Sequence, residues 1–287
     1  MSVVITGATG HLGRLVVENL LERGVPVGDI VAAGRDTTKV KDLADRGVRV
    51  RAIDYDDPAT LDDAFRGAGK ILLISGSEVG KRVRQHRNAI DAARRAGTGL
   101  LAYTSIANAD TTTMRLAEEH QATEAALRAS GLPYTLLRNS WYTENYTAQV
   151  PAILERGALT GSAGDGRVSA ATRADYAAAA AAVLTSDGQQ GRVYELGGDQ
   201  AVTLAEIAAE ISAQAGQPVS YHDLPVADYT ALLVGVGLPE QAAATLADAD
   251  RGLAHGDLYV DSGHLRQLIG RPATSLHDAV AAALGRG

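Results

Sequence analysis

Short apolar runs alternate with amphipathic stretches through the first half of the chain. Residues 3–6, 30–33, 48–52, 71–75, 100–105 and 134–138 are largely apolar and predict six strands. Their apolar character is continuous rather than alternating, as in strands covered on both faces. Between them, residues 11–23 place Leu12, Leu15, Val16, Leu20 and Leu21 on one side of a helix. Residues 61–65, 84–96 and 117–130 predict three more. Strand and helix in alternation at this spacing predict an α/β fold with a doubly wound parallel sheet. The texture changes after about residue 139. Residues 157–166 are glycine-rich and predict a loop, 173–184 an alanine-rich helix, and 193–196 a strand closed by Gly197 and Gly198. Thr203, with Glu206 three positions on, has the form of a capping box, and residues 227–284 are mostly helical in pattern. The expected division is a sheet domain over residues 1–150 and a smaller, mainly helical C-terminal domain over 151–287. Segments from about 168–200 are expected to add strands or helices to the first.

Composition narrows the classes. A chain of 287 residues, 46% of them hydrophobic, makes one large domain or one with an appendage. The net charge of -7 and the lack of a basic stripe argue against a nucleic-acid partner. The one basic cluster, Lys81-Arg82-Val83-Arg84-Gln85-His86-Arg87, is expected as a solvated helix face, with a phosphate or partner contact as the alternative. The absence of cysteine excludes disulfides and thiolate chemistry and fits a reducing compartment. The apolar run 176–184 is shorter than the roughly 20 residues that span a bilayer, so no membrane insertion is expected. No secretion signal is expected ahead of the first strand, and the location expected is cytoplasmic.

The stretch Gly7-Ala8-Thr9-Gly10-His11-Leu12-Gly13 has the spacing G-x-x-G-x-x-G between a predicted strand and a predicted helix. In that context it reads as the dinucleotide-binding turn of a Rossmann-type sheet. Gly7 would permit a sharp turn, Gly10 a close approach to a pyrophosphate, and Gly13 close packing of helix on sheet. Free N–H groups at the helix start would face the phosphates. A glycine turn without a ligand is the alternative. At the end of the second strand, an acid would bond the ribose 2′-hydroxyl of NADH; the sequence has Gly34-Arg35. Arg35 could pair bidentately with a 2′-phosphate, which favours NADPH; a merely solvated arginine is the alternative. Asp36 leaves weaker use of NADH open.

Short-chain dehydrogenases with this loop carry a Tyr-x-x-x-Lys pair on the helix after the fifth strand. Ser105 stands where their serine stands, yet residues 106–130 hold neither tyrosine nor lysine. Hydride addition to an ordinary ketone makes a strongly basic alkoxide that needs a general acid. A quinone gives a phenolate-like anion, with a pKa near the tyrosine value of about 10, which water can protonate. The missing pair thus permits a planar acceptor reduced by proximity and orientation, or no catalysis at all. Residues 139–146, NSWYTENY, gather the only tryptophan and two tyrosines in a chain with 4% aromatic residues. They suit a platform for a planar ligand, or a packing cluster at a domain junction.

Together, ITGATGHLG, ILLISGSEVGKR..QHRN, AYTSIANAD, LAEEH..TE, GLPYTLLRNSWYTENY, ATRADYAAAA and VYELGGD resemble the NmrA-like atypical short-chain dehydrogenase/reductases. Within them the chain resembles the bacterial type-two NAD(P)H:quinone oxidoreductases, in one register over nearly its whole length. The resemblance implies an NADP-binding Rossmann domain, a small C-terminal domain, a quinone cleft between them, NADPH as cofactor and no flavin. Carried over by position, it puts Gly7, Ala8, Thr9, Gly10, His11, Leu12 and Gly13 at the pyrophosphate and Arg35 at the 2′-phosphate. It puts Ser75, Gly76 and Ser77 along the cofactor, and Asn139, Ser140, Trp141 and Tyr142 beside the nicotinamide. Arg173 would approach from across the cleft. Asn139 and Tyr142 are candidate catalytic contacts. His120 could protonate the reduced quinone, or be a surface histidine among carboxylates. It shares no ligand spacing with His11, His86, His222 or His255, so no metal is expected. A small-molecule quinone is the expected partner, and a homodimer is compatible. The rival readings are a non-catalytic NADP(H) redox sensor of the NmrA type, and a reductase or epimerase of alcohols or sugars, which the missing Tyr/Lys pair weakens.

Overall fold

In the computed structural model, which describes residues 2–286, the six apolar runs become strands of one sheet. They are β1 (Ser2–Ile5), β2 (Ile30–Gly34), β3 (Arg49–Ala52), β4 (Ala68–Leu73), β5 (Leu100–Ile106) and β6 (Tyr134–Asn139). β7 (Ala158–Gly161), β8 (Arg192–Leu196) and β9 (Ser220–Asp223) follow. The main sheet has the order β3-β2-β1-β4-β5-β6-β8, and every neighbouring pair is parallel. β1, β2 and β5 are buried at each position, which is why they read as unbroken apolar runs. The strand order reverses between β1 and β4. Such a switch point leaves a crevice outside the carboxyl ends of the strands.

One face of the sheet is covered by α1 (His11–Glu22), and its other by α3 (Pro58–Phe65), α4 (Arg82–Ala96) and α5 (Arg115–Ala129); the short α2 (Lys41–Asp45) precedes β3. Beyond β6 come α6 (Glu144–Thr147), α7 (Val150–Arg156), α8 (Arg173–Thr185), α9 (Leu204–Ala215), α10 (Val226–Gly235) and α11 (Glu240–Ala254). α12 (His264–Ile269) and α13 (Leu276–Ala283) end the chain. The alanine-rich α8 lies beside α1 and is buried from Asp175 to Leu184. Its short side chains let two helices approach closely on the same face. β8 and α12 join that side of the molecule. A second core forms around Tyr146, Ile153, Leu159, Leu204, Ile211 and Leu253.

Two expectations are corrected. Residues 157–166 are not simply a loop, because β7 pairs in parallel with β9, Ala158 opposite Ser220. A four-residue strand whose partner lies beyond a helix leaves no local alternation to detect. The basic cluster at residues 81–87 is not simply a solvated face: Arg82, Gln85 and His86 are buried. The capping box at α9 forms as its sequence requires. Thr203 Oγ1 accepts from the Glu206 N–H at 3.0 Å, and Glu206 Oε2 accepts from the Thr203 N–H at 2.8 Å.

Candidate functional site

The ends of β1 to β4 open onto a cleft of about 310 Å3. Its floor is the glycine turn. Gly7 sits at φ +63°, a left-handed conformation that a side chain would strain. A Cβ on Gly13 would lie 2.4 Å from the Gly7 carbonyl oxygen and 2.7 Å from Ala8 Cα, so α1 starts where only glycine lets it. Gly34 plays a matching part at the end of β2, where a Cβ would meet the Thr9 side chain at 2.6 Å. No side chain caps α1, and His11, Leu12 and Gly13 of its first turn line the cleft with Gly7, Thr9 and Gly10. Uncapped backbone donors at a helix start suit an anion. Ala8 differs: it is fully buried and its N–H donates to the Ala33 carbonyl at 2.9 Å, which ties the turn to β2.

The opposite wall is the segment after β4, and side chains hold it one amide at a time. The Ile74 N–H donates to Thr6 Oγ1 at 3.0 Å, the Ser75 N–H to Thr104 Oγ1 at 2.9 Å, and the Gly76 N–H to His86 Nε2 at 3.0 Å. Arg82 Nε donates to the Gly76 carbonyl at 2.6 Å. The buried half of the basic cluster therefore fixes Ser75, Gly76 and Ser77, all three of which line the cleft. Burial, aided by the Arg82 charge, holds His86 down to about 3, so Nε2 remains an acceptor at neutral pH.

Arg35 lines the cleft at the end of β2, and its Nη1 donates to Glu78 Oε1 at 2.8 Å. Arg173, from the start of α8, reaches the same cleft, with its guanidinium carbon 4.5 Å from the Tyr142 ring centroid. Burial raises the Tyr142 hydroxyl above its usual range, against a lowering hydrogen bond from Asn139. Ser140 faces elsewhere: its hydroxyl donates to the Leu258 carbonyl at 2.7 Å. Trp141 packs against the second core, and Asn139 is buried at the end of β6. The structure thus brings the glycine turn, Arg35, Ser75, Gly76, Ser77 and Arg173 to one cleft. It leaves Asn139, Ser140, Trp141 and Tyr142 behind or beside its lining.

Two sequence candidates for proton chemistry lie inside the fold. Ser105 donates to Glu124 Oε1 at 2.6 Å, within a network in which the buried Arg138 grips the buried Glu124, the half-buried Glu195 and the exposed Asp110. His120 is not a surface histidine. It is 6% exposed, lies outside the cleft lining, and has Nδ1 2.8 Å from the Tyr103 hydroxyl. Burial first, then the charge of Arg82, keeps its pKa well below the ordinary value, so the ring is neutral. Sequence reasoning missed Ile53, Asp54, Tyr55, Ile74, Glu78 and Gln85, which also line the cleft. The first four follow the ends of β3 and β4, and the rule that ligands lie beyond parallel strand ends would have found them. Among the described residues no cluster of three metal-ligating side chains occurs, and no helix is long and apolar enough to cross a membrane.

Residues 1–269 match the NmrA-like family. The chain is 52% identical over 278 residues to quinone oxidoreductase 2 of Escherichia coli (strain K12), with 97% of each chain covered. The crystal structure of an NADPH-dependent quinone oxidoreductase from Escherichia coli, complexed with NADPH, aligns with a TM-score of 0.95 at 51% identity, covering 98% of this chain and 99% of that one. The triphenylmethane reductase of Citrobacter sp., complexed with NADP(H), aligns with a TM-score of 0.93 at 38% identity, covering 98% and 100%.

Proposed function

The chain belongs to the NmrA-like family, and from that premise we propose that it is an NADPH-dependent quinone oxidoreductase that works without flavin or metal. The observation that carries this reading is the cleft at the switch point, floored by a cradle that tolerates no Cβ at Gly13 and flanked by Arg35 where NADH enzymes place an acid. Bound there, NADPH would supply the hydride that, with one proton, converts a quinone to a hydroquinone. The turn from Gly7 to Gly13 holds the pyrophosphate on the N terminus of α1, and Arg35 holds the 2′-phosphate. Ser75, Gly76 and Ser77 form the wall along the cofactor. Arg173, braced over Tyr142 and by Asn145 at 3.3 Å, defines the far end of the cleft. Tyr142 lies under Arg173 with Asn139 beside its hydroxyl, as candidate contacts of the acceptor, while Ser140 and Trp141 anchor their segment to the second core. With Ser105 committed to Glu124 and His120 neutral, the proton comes from water. A chain without cysteine that consumes NADPH fits a cytoplasmic location.

The test mixes the purified protein with NADPH and a panel of benzoquinones and naphthoquinones while cofactor absorbance is followed. Turnover of the order of 1 s⁻¹ or faster is expected without added flavin. Tight NADPH binding with no oxidation above the uncatalysed rate would instead make the protein a non-catalytic NADP(H) sensor.

A further inference from the structure

Glu78 stands between two cations at the mouth of the cleft. Its Oε1 accepts from Arg35 Nη1 at 2.8 Å, and its Oε2 accepts from Lys81 Nζ at 3.1 Å. Both Arg35 and Glu78 line the cleft, and Arg35 follows the strand end beside the glycine turn. The two cations lie on one carboxylate group, one on each oxygen. Lys81 foremost, with the charge of Arg35, holds that carboxylate below its usual range. A carboxylate bridging two cations has the charge and the acceptor geometry of a small anion.

We infer that Glu78 is a cofactor-specificity residue: an internal stand-in for the 2′-phosphate of NADPH, which must leave Arg35 and Lys81 for that phosphate to enter. The inference rests on the cofactor reading given above. Exchange of a monoanionic carboxylate for a phosphate near -2 on the same cations is favoured by charge. A ribose 2′-hydroxyl brings no charge to displace Glu78, and finds in the carboxylate an acceptor. Glu78 therefore weakens NADPH and spares NADH, and it narrows the preference that Arg35 creates. Lys81, outside the cleft lining while Glu78 holds it, becomes a second phosphate contact once the carboxylate turns away. The residue conventionally sought at the end of the second strand of such sheets is here supplied from across the cleft, after β4.

The test uses 2′,5′-ADP and 5′-AMP as direct binding probes in titration calorimetry on the full-length protein. Glu78→Gln, which keeps the shape and removes the charge, should bind 2′,5′-ADP roughly five- to tenfold tighter and 5′-AMP within twofold of the parent. Lys81→Gln should weaken 2′,5′-ADP several-fold and leave 5′-AMP unchanged. The double variant Arg35→Ala/Glu78→Gln should lose most of the gain over Arg35→Ala. Unchanged or weaker 2′,5′-ADP binding in Glu78→Gln overturns the inference. If Arg35→Ala still weakens that ligand, the cofactor reading survives such a failure. If Arg35→Ala has no effect, both fall together.

Discussion

His120 shows how burial redirects a side chain that its chemistry would recommend. Tyr103 occupies one ring nitrogen, and desolvation keeps the ring neutral at pH 7, so it carries no imidazolium proton to give. A positioned general acid typically contributes about 10²- to 10⁴-fold to rate. His120→Gln should therefore keep kcat with a naphthoquinone within about tenfold of the parent at pH 7; a loss near 10³-fold would place His120 in the proton path. The same contrast separates what could be read along the chain from what could not. Gly7, Gly10 and Gly13 act through backbone spacing, which is local, and Arg35 follows directly from where its strand ends. Ser140 has no such local determinant, since its hydroxyl is claimed by Leu258 from a segment far along the chain. Glu78 was equally hidden. It meets Arg35 only because the sheet order sets the ends of β2 and β4 on either side of β1.

Elements rather than single residues explain why the cleft keeps its shape. Strands covered on both faces announce themselves as apolar runs, which made β1, β2, β4, β5 and β6 legible in number and approximate place; the more exposed β3 and β8 were legible from their β-branched residues and their place in the strand-helix alternation. β7 and β9 were not, because they stand outside that alternation and pair only with each other across about sixty residues. The ties between elements were also unreadable: three successive amides after β4 are met by side chains from three different elements, Thr6 after β1, Thr104 on β5 and His86 on α4. A comparable tie joins β6 to α5, where Arg138 and Glu124 are both nearly inaccessible and bonded through two pairs of atoms. Burial alone would lower the arginine, but Glu124, Asp110 and Glu195 keep it charged and raise it above its usual value. Removing one partner of a buried pair costs about 3–5 kcal/mol when the other charge is left uncompensated, an upper figure here because Arg128 Nη2 also donates to Glu124 Oε2 at 2.9 Å. Arg138→Met is expected to lose up to about 3 kcal/mol in urea unfolding, and the double variant Arg138→Met/Glu124→Gln less than the sum of its parts. Strict additivity would show that the two side chains do not share one network.

Over the whole molecule, buried neutral histidines couple stability to pH. His86, with a native value of about 3 against 6.5 for the free side chain, and His120, also held well below 6.5, refuse protons that the unfolded chain accepts. Stability is therefore complete above pH 6.5 and is lost as pH falls, with each histidine contributing a slope of up to about 1.4 kcal/mol per pH unit. Asp250 acts in the opposite sense. Burial raises it from 3.8 to about 6, so between those values the native state holds the extra proton and one unit of the slope is offset. Between about pH 6 and pH 4 the net decline should consequently be closer to one proton than to two. Urea midpoints measured from pH 8 to pH 5 should be flat above 7 and decline below 6.5. His86→Gln, whose side-chain carbonyl can still accept from the Gly76 N–H, should show a decline shallower by about one proton. A decline parallel to that of the parent would mean that His86 is already protonated in the native fold. Protonation would turn its Nε2 from acceptor to donor and release the Gly76 N–H. In the native fold that happens only near pH 3, whereas the decline of the urea midpoint below 6.5 comes from protons taken up by the unfolded chain. The wall of the cleft should therefore keep its geometry from pH 8 to pH 5, and affinity for NADH, which carries no 2′-phosphate to titrate, should stay level while the urea midpoint declines; a loss of affinity in step with the midpoint would show His86 protonated in the native fold.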